Sequence, residues 1–310
     1  MEKIPVIILT GPTAVGKTKL SVELAKELNA QIISSDSMQI YKYMDIGTAK
    51  VTKEEMDGIK HYMIDEVMPD EDFSVSRFQK KTMEYIRKIH SEGKIPILTG
   101  GTGLYLNSII YDMDFSNTKG DNTLRLKLQK EYEEHGKDYL YDKLLKLDEE
   151  SAKNIHKNNV KRVIRALEIA LNGEKKGDFS KDLKLNEEID PILIILSRNR
   201  EILYQRINKR VDIMIEQGLL KEVKTLIGMG YNKNMVSMKA IGYKEIMEYI
   251  EDEITYEDAI EKIKRESRRY AKRQITWFKR YKDAYFVDID NMSFDNLKNN
   301  IIKKIKTYYS

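Results

Sequence analysis

The sequence predicts an α/β fold built on a doubly wound parallel sheet. Two observations carry it. Short apolar, β-branched runs alternate with amphipathic helical patterns along most of the 310 residues, and polar, glycine-bearing loops follow several of those runs. Strands separated by helices pair in parallel, and such sheets bind ligands beyond the carboxyl ends of their strands. The first run, "IPVIIL" (Ile4 to Leu9), is apolar at every position, as a strand covered on both faces must be. The further runs are "AQIISSD" (30–36), "KHYMIDEV" (60–67), "KIPILTGG" (94–101), "DPILIIL" (190–196) and "DAYFVDID" (283–290). Helical spacing fills Lys17 to Leu28, where Leu20, Leu24 and Leu28 share a face, then Val75 to Glu92, Ile202 to Met229 in two pieces, and Tyr256 to Tyr281. The last fifteen residues read as a polar terminal helix.

The stretch from about Ser116 to Glu188 breaks the alternation. It carries helical segments around 122–135, 137–147 and 158–172, and then the polar loop "NGEKKGDFSKDLKLNEE". The expectation is therefore an all-helical domain, 116–188, inserted into a core made of 1–115 and 189–310.

Composition narrows the class. With 41% hydrophobic residues the chain can bury a sizeable core. No apolar run reaches eighteen residues, so no membrane span is expected. The chain enters a strand almost at once, so no signal peptide is expected. Cysteine is absent, which excludes disulfides and cysteine zinc sites and agrees with a cytoplasmic protein. His61, His90, His135 and His156 lack ligand-like spacing and read as structural or surface groups. Net charge is only +4, but the segment from Lys264 to Lys282 holds nine basic residues and one acidic one.

The chemistry starts at "GPTAVGKT", Gly11 to Thr18, which fits G-x-x-x-x-G-K-[ST] between a strand and a helix. Gly11 and Gly16 permit close backbone approach, and the amide N–H groups of Gly11, Pro12's successor Thr13, Ala14, Val15 and Gly16 then converge on anionic oxygens at a helix N-terminus. Lys17 adds a charge on the terminal phosphates, and the Thr18 hydroxyl suits a magnesium ion. This is a P-loop pattern; it implies a polyphosphate and Mg²⁺ without naming the reaction. Asp36 closes the second run, where a carboxylate can act as a base or orient a metal ligand, or simply cap a turn. "TGGTGLY" (99–105) is a second glycine loop in which Thr102 offers a hydroxyl. Arg206 and Arg210 fall four apart on one helical face, placed either to clamp an oxyanion or to stay solvated. The Tyr256–Tyr281 helix has an apolar stripe interrupted by Gln274, and its other faces are rich in Lys and Arg. With the basic run "KNNVKRVIRALE" (157–168) it suggests nucleic-acid phosphates as a partner.

Taken in order, "GPTAVGKT", "SSDSMQIYKYMDIGTAK", "TGGTGLY", "VKRVIRALE", "KAIGYKE" and "AKRQITWFKR" closely resemble the tRNA dimethylallyltransferases, the isopentenyl-tRNA transferase family, from Ile4 to about Arg280. The resemblance implies a P-loop NTPase-like sheet with a helical insertion. It also implies transfer of a dimethylallyl group from dimethylallyl diphosphate to the exocyclic amine of the adenine 3′ of the tRNA anticodon, releasing diphosphate. Carried over by position, Gly11 to Thr18 would hold the diphosphate, with Thr18 on Mg²⁺. Asp36 would be the general base and a contact to the adenine, and Ser37, Met38 and Gln39 would line its pocket. Lys17, Thr102 and Arg210 would act at the reacting centre, while Arg125 and the run Lys161, Arg162, Val163, Ile164, Arg165 would touch the anticodon stem-loop. A monomer is expected. Two other readings stand beside this one: an ATP-dependent small-molecule or nucleoside kinase on the same loop, and an RNA-binding protein that uses nucleotide as a switch.

Overall fold

Strand β1 (Ile4–Thr10) runs through the middle of a parallel sheet whose other strands are β2 (Ala30–Ser34), β3 (His61–Tyr62), β4 (Ile95–Gly100), β5 (Ile189–Ser197) and β6 (Tyr285–Asp288). The spatial order is β3-β2-β4-β1-β5-β6. The computed structural model describes residues 2–113, 115, 122–172 and 184–310. Part of the polar loop expected after 172 therefore lies outside the described residues. Helices in chain order are α1 (Lys17–Glu27), α2 (Lys53–Met56), α3 (Val75–Ser91), α4 (Gly103–Ile110), α5 (Asn122–Leu147), α6 (Glu149–Asn154), α7 (Val160–Leu171), α8 (Arg200–Glu216), α9 (Leu219–Gly228), α10 (Tyr243–Ile250), α11 (Tyr256–Phe278) and α12 (Phe294–Tyr309). Among the described residues, no helix is long and apolar enough to cross a membrane.

The all-apolar β1 run has a direct cause. Ile4, Val6 and Ile8 enter one core cluster with Phe78 of α3 and Leu106 of α4. Ile7 and Leu9 enter the other, with Leu20 and Leu24 of α1, Leu203 of α8 and Ile301 of α12. Successive strand side chains alternate faces, so a strand with helices on both sides needs apolar residues at every position. Chain order leaves β1 for β2 on the far side of β4, and later reaches β5 on the opposite side of β1. That reversal of direction beside β1 is the switch point at which open α/β sheets bind ligands.

The structure departs from the sequence expectation at β3 and at several short helices, α6 among them. The run 60–67 keeps only two residues as strand, because Met63 (φ 62°) and Asp65 (φ 55°) turn into the left-handed region and the Glu66 side chain accepts the Met63 N–H at 2.8 Å. The break expected between 122–135 and 137–147 does fall in α5, at Gly136, whose φ of 81° and ψ of −179° kink the helix. Helix α6 has no counterpart in the sequence reading; Asp148 caps it by accepting the Ser151 N–H at 2.9 Å.

The chain divides into two compact units, one of Met1–Tyr111 with Leu185–Ser310 and one of Asp112–Lys184. These edges fall four residues before the expected 116 and 188. The cause lies in the return strand, since Asn186 donates its backbone N–H to Ile110 O at 2.9 Å and its side chain donates to Ile109 O at 3.1 Å. The smaller unit has its own core, in which Leu128, Leu140 and Leu144 of α5 meet Val163, Ile164 and Leu167 of α7.

Candidate active site

Strand register brings three loops together. Thr10 stands opposite Gly100 across β1 and β4, and Ser34 stands opposite Thr99 across β2 and β4. The loops beginning at Gly11, Ser35 and Gly101 therefore leave the sheet side by side. Thr10 Oγ1 donates to Gly100 O at 2.7 Å, and Ser35 N donates to Thr99 O at 2.7 Å. A Cβ on Gly100 would fall on the Ser35 hydroxyl and backbone, so only glycine lets these two loops touch.

The phosphate loop ends in α1. Gly16 is its N-cap, and no side chain caps it. The first helical N–H groups therefore open onto a cleft of about 510 Å³ lined by Gly16, Lys17 and Thr18. Lys17 Nζ donates to Gly11 O at 2.8 Å and Pro12 O at 2.9 Å. Burial, and then the neighbouring Arg210 guanidinium, pull its pKa from an ordinary lysine's 10.5 down to about 7, against the opposing pull of Asp36. Arg210 is partly buried, whereas Arg206 is exposed, yet both bond to the loop. Arg206 Nε donates to Ala14 O at 2.9 Å, and Arg210 donates to Thr13 Oγ1 at 3.4 Å and Ala49 O at 3.5 Å. Helix α8 thus lays two guanidinium groups on the loop. Desolvation lowers the pKa of both, and Asp36 is the first charge that offsets this at Arg210. The cleft's ionisable wall is strongly cationic, with Lys17, Lys19, Arg206, Lys209 and Arg210, and it includes the carboxylates of Asp36 and Glu55.

Asp36 lies just past the end of β2. Its Oδ1 accepts the Met38 N–H at 2.9 Å, the turn-capping contact, and its side chain also lines the cleft. Turn cap and cleft wall are here the same residue. Thr102 Oγ1 accepts the Ser37 N–H at 3.2 Å, which ties the second glycine loop to the Asp36 loop. A second cavity, of about 300 Å³, opens behind Asp36 against Ser37, Met38, Met214, Ile241 and Ile263. Thr13, Asp36, Thr48, Arg210 and Tyr270 border both cavities. Gln39 faces the larger cleft instead, and its amide bonds to Ser34, Thr48 and Ala49 brace the loop.

Four braces in this region were not read from the sequence. Lys50, nearly buried, bonds to Tyr41 O, Asp45 and Asp65. Glu222 of α9 accepts the backbone N–H groups of Asp45, Ile46 and Gly47 together with the Tyr243 hydroxyl at 2.6 Å. Tyr270 of α11 stands beside Thr102 and Gln274, and burial raises its hydroxyl pKa to about 12. Gln274 links two of the loops. Only Gln274 left a trace in the sequence, as a polar residue in an apolar stripe. Removing the Glu222 carboxylate leaves four donors without their acceptor, and a partly buried unpaired donor costs on the order of 1 kcal/mol. Glu222→Ala is expected to lower unfolding free energy by about 2–3 kcal/mol, measured by urea denaturation, with Glu222→Gln losing less.

In the smaller unit the expected tRNA-contact run divides. Lys161 and Arg162 are exposed, whereas Val163 and Ile164 are core residues, 1% and 6% exposed, so their side chains present nothing to a partner. Arg125 makes a two-pronged ion pair with the buried Glu168, at 2.6 and 3.0 Å, and Arg165 reaches the same carboxylate at 2.9 Å. Among the described residues, no group of three or more His, Cys, Asp or Glu side chains is placed to hold a metal.

Residues 39–281 match the family described as IPP transferase. The chain belongs to the IPP transferase family. It is 64% identical over 307 residues to the tRNA dimethylallyltransferase of Clostridioides difficile strain 630, with 99% of each chain covered. It is 52% identical over 306 residues to that of Alkaliphilus oremlandii strain OhILAs, with 98% of each covered. Among solved structures, it resembles the tRNA isopentenylpyrophosphate transferase of Bacillus halodurans with a TM-score of 0.74 and 44% identity over 98% of both chains. It also resembles a eukaryotic dimethylallyltransferase solved acting on tRNA, with a TM-score of 0.82 and 33% identity over 97% of this chain and 78% of that one. The IPP transferase match begins at residue 39, past the phosphate loop, while the full-length relatives align over nearly the whole chain.

Proposed function

We propose that the protein transfers the dimethylallyl group of dimethylallyl diphosphate to the exocyclic amine of the adenine 3′ of a tRNA anticodon. The observation that carries this reading is the Asp36 carboxylate on the shared wall of two cavities, one lined by cationic side chains and the phosphate loop, the other with a largely apolar lining. The diphosphate lies on Gly11 to Thr18. The Thr18 hydroxyl, exposed in the first turn of α1, is a hard oxygen donor. Thr18 would hold a magnesium ion at this donor set, and the ion would supply positive charge to neutralise the leaving group.

The extruded adenine enters beside Ser37 and Met38. As the allylic carbon–oxygen bond breaks, Lys17 and Arg210 offset the charge gathering on diphosphate. The amine lone pair forms the new carbon–nitrogen bond, and Asp36 takes the proton. Thr102 holds the Asp36 loop through Ser37 N. Extruding a stacked base costs a few kcal/mol, and phosphate contacts from the α11 basic face, Lys161, Arg162, Arg165 and Arg125 offset it. The enzyme acts as a cytoplasmic monomer. Because every relative reported above is named as a transferase acting on tRNA, the kinase reading is not favoured.

Incubation with labelled dimethylallyl diphosphate and total tRNA, followed by nuclease digestion, is expected to place the label on that adenine. Binding of the anticodon stem-loop is expected to weaken steeply with salt. Brisk ATP hydrolysis, with the prenyl donor left untouched in the presence of tRNA, would sink the proposal.

A further inference from the structure

Gln274 is a buried amide, 5% exposed, on the face of α11 turned toward the sheet. Its Oε1 accepts the Thr13 N–H at 2.9 Å, and its Nε2 donates to Gly101 O at 2.9 Å. One side chain therefore spans the phosphate loop and the second glycine loop. The fit leaves no slack, since a Cβ on Gly101 would fall on Gln274 Nε2 and a Cβ on Gly103 would fall on the Trp277 indole. On the same helix Tyr270 borders both cavities. Arg273, next to Gln274, lines the smaller cavity.

We propose that Gln274 is a positioning residue that fixes the donor loop against the acceptor loop, setting the separation between the diphosphate held at Thr13 and the amine presented near Thr102 and Asp36. Both of its amide atoms are taken up by loop backbone, Thr13 N–H and Gly101 O, and with Gly101 it lines the larger cleft. The Gly101 loop reaches the acceptor side through Thr102, whose Oγ1 accepts the Ser37 N–H of the Asp36 loop. This inference rests on the prenyl-transfer reading for its kinetic consequence, though not for the contact itself. Misplacement of two reactants by about 1 Å costs on the order of a hundredfold in rate while leaving each one's own binding nearly intact.

The test uses the full chain carrying Gln274→Met, which keeps length and removes both hydrogen bonds. Single-turnover prenyl transfer is expected to fall about 30- to 100-fold. Affinities for inorganic diphosphate and for an anticodon stem-loop, measured separately, are expected to stay within about threefold. The Thr13 amide is expected to exchange its hydrogen faster than in the parent protein, since its acceptor is gone. A second variant, Gln274→Leu, also removes both hydrogen bonds, in a smaller apolar side chain, and the same fall in rate with both affinities kept is expected.

The proposal is overturned if Gln274→Met keeps its rate within about threefold of the parent, or if rate and both affinities fall together. If Gln274→Met does not fold, the same outcomes measured in Gln274→Leu overturn it. Should the parent protein transfer no prenyl group at all, the functional reading fails, and Thr13 exchange in Gln274→Met alone decides whether the contact holds the loop.

Discussion

Asp36→Asn is expected to cut prenyl transfer by about two orders of magnitude or more, the scale of losing a positioned general base, while tRNA binding stays close to the parent value. Asparagine is the informative substitution because the carboxylate has two jobs. Its Oδ1 caps the turn by accepting the Met38 N–H at 2.9 Å, and an amide oxygen can continue to do that. What asparagine cannot do is accept a proton from the adenine amine. Asp36→Ala loses both roles, so any further loss from Asn to Ala measures the turn together with the side chain's hydrogen-bonding contact to the adenine. The Ser37 N–H contact to Thr102 keeps the loop anchored in either variant. Single-turnover transfer and stem-loop binding measured on one preparation separate the readings. A protein using nucleotide only as a switch shows no transfer in the parent and nothing for the variant to lose. If Asp36→Asn transfers at more than about a tenth of the parent rate, Asp36 is not the base.

How much of this was legible from sequence depends on how far apart the interacting residues lie. The unbroken apolar β1 run announced a strand covered on both faces, and Ile4, Val6, Ile7, Ile8 and Leu9 do divide between two cores. The phosphate loop is local chemistry, written in eight consecutive residues. Asp36 was legible as a strand-end carboxylate, because register places strand ends together in any parallel sheet. The braces were not. Thr13 and Gln274 are 261 residues apart and Gly101 and Gln274 are 173 apart, so no periodicity connects them. The four-residue spacing of Arg206 and Arg210 by itself favours a solvated face; the placement of α8 beside the loop draws Arg210 in, while Arg206 stays exposed and bonds to Ala14 O. The run Lys161 to Arg165 shows the opposite error. Read as one basic surface, it is a helix turn whose Val163 and Ile164 point inward, because helical spacing turns part of any consecutive run toward the core. The short β3 was hidden by left-handed residues, Met63 and Asp65, that no glycine announces.

Lys17 carries the second large effect, and its pH dependence gives the effect a sign. In the protein without donor, burial and Arg210 leave the ammonium titrating near 7 rather than 10.5. A diphosphate placed against it is an opposite charge at contact distance, which favours the charged form and raises the pKa again. Binding the donor therefore takes up a proton at pH above about 7. Linkage then requires donor affinity to fall as pH rises above 7, by as much as about tenfold per unit until the pKa of the bound state is reached. Below 7 the lysine is already charged and its contribution levels off. Lys17→Met removes both the charge and the titration. Turnover is expected to drop about 10²- to 10³-fold, as when one fixed donor to a developing anion is deleted, and the lysine's share of the pH slope disappears. Calorimetric titration with inorganic diphosphate in two buffers of different ionisation enthalpy reads the proton uptake directly. Because the ligand's own protonation is common to both proteins, the difference between parent and Lys17→Met isolates the lysine. Equal proton uptake by the two would place the titrating group elsewhere and remove Lys17 from the neutralisation of the leaving group at neutral pH.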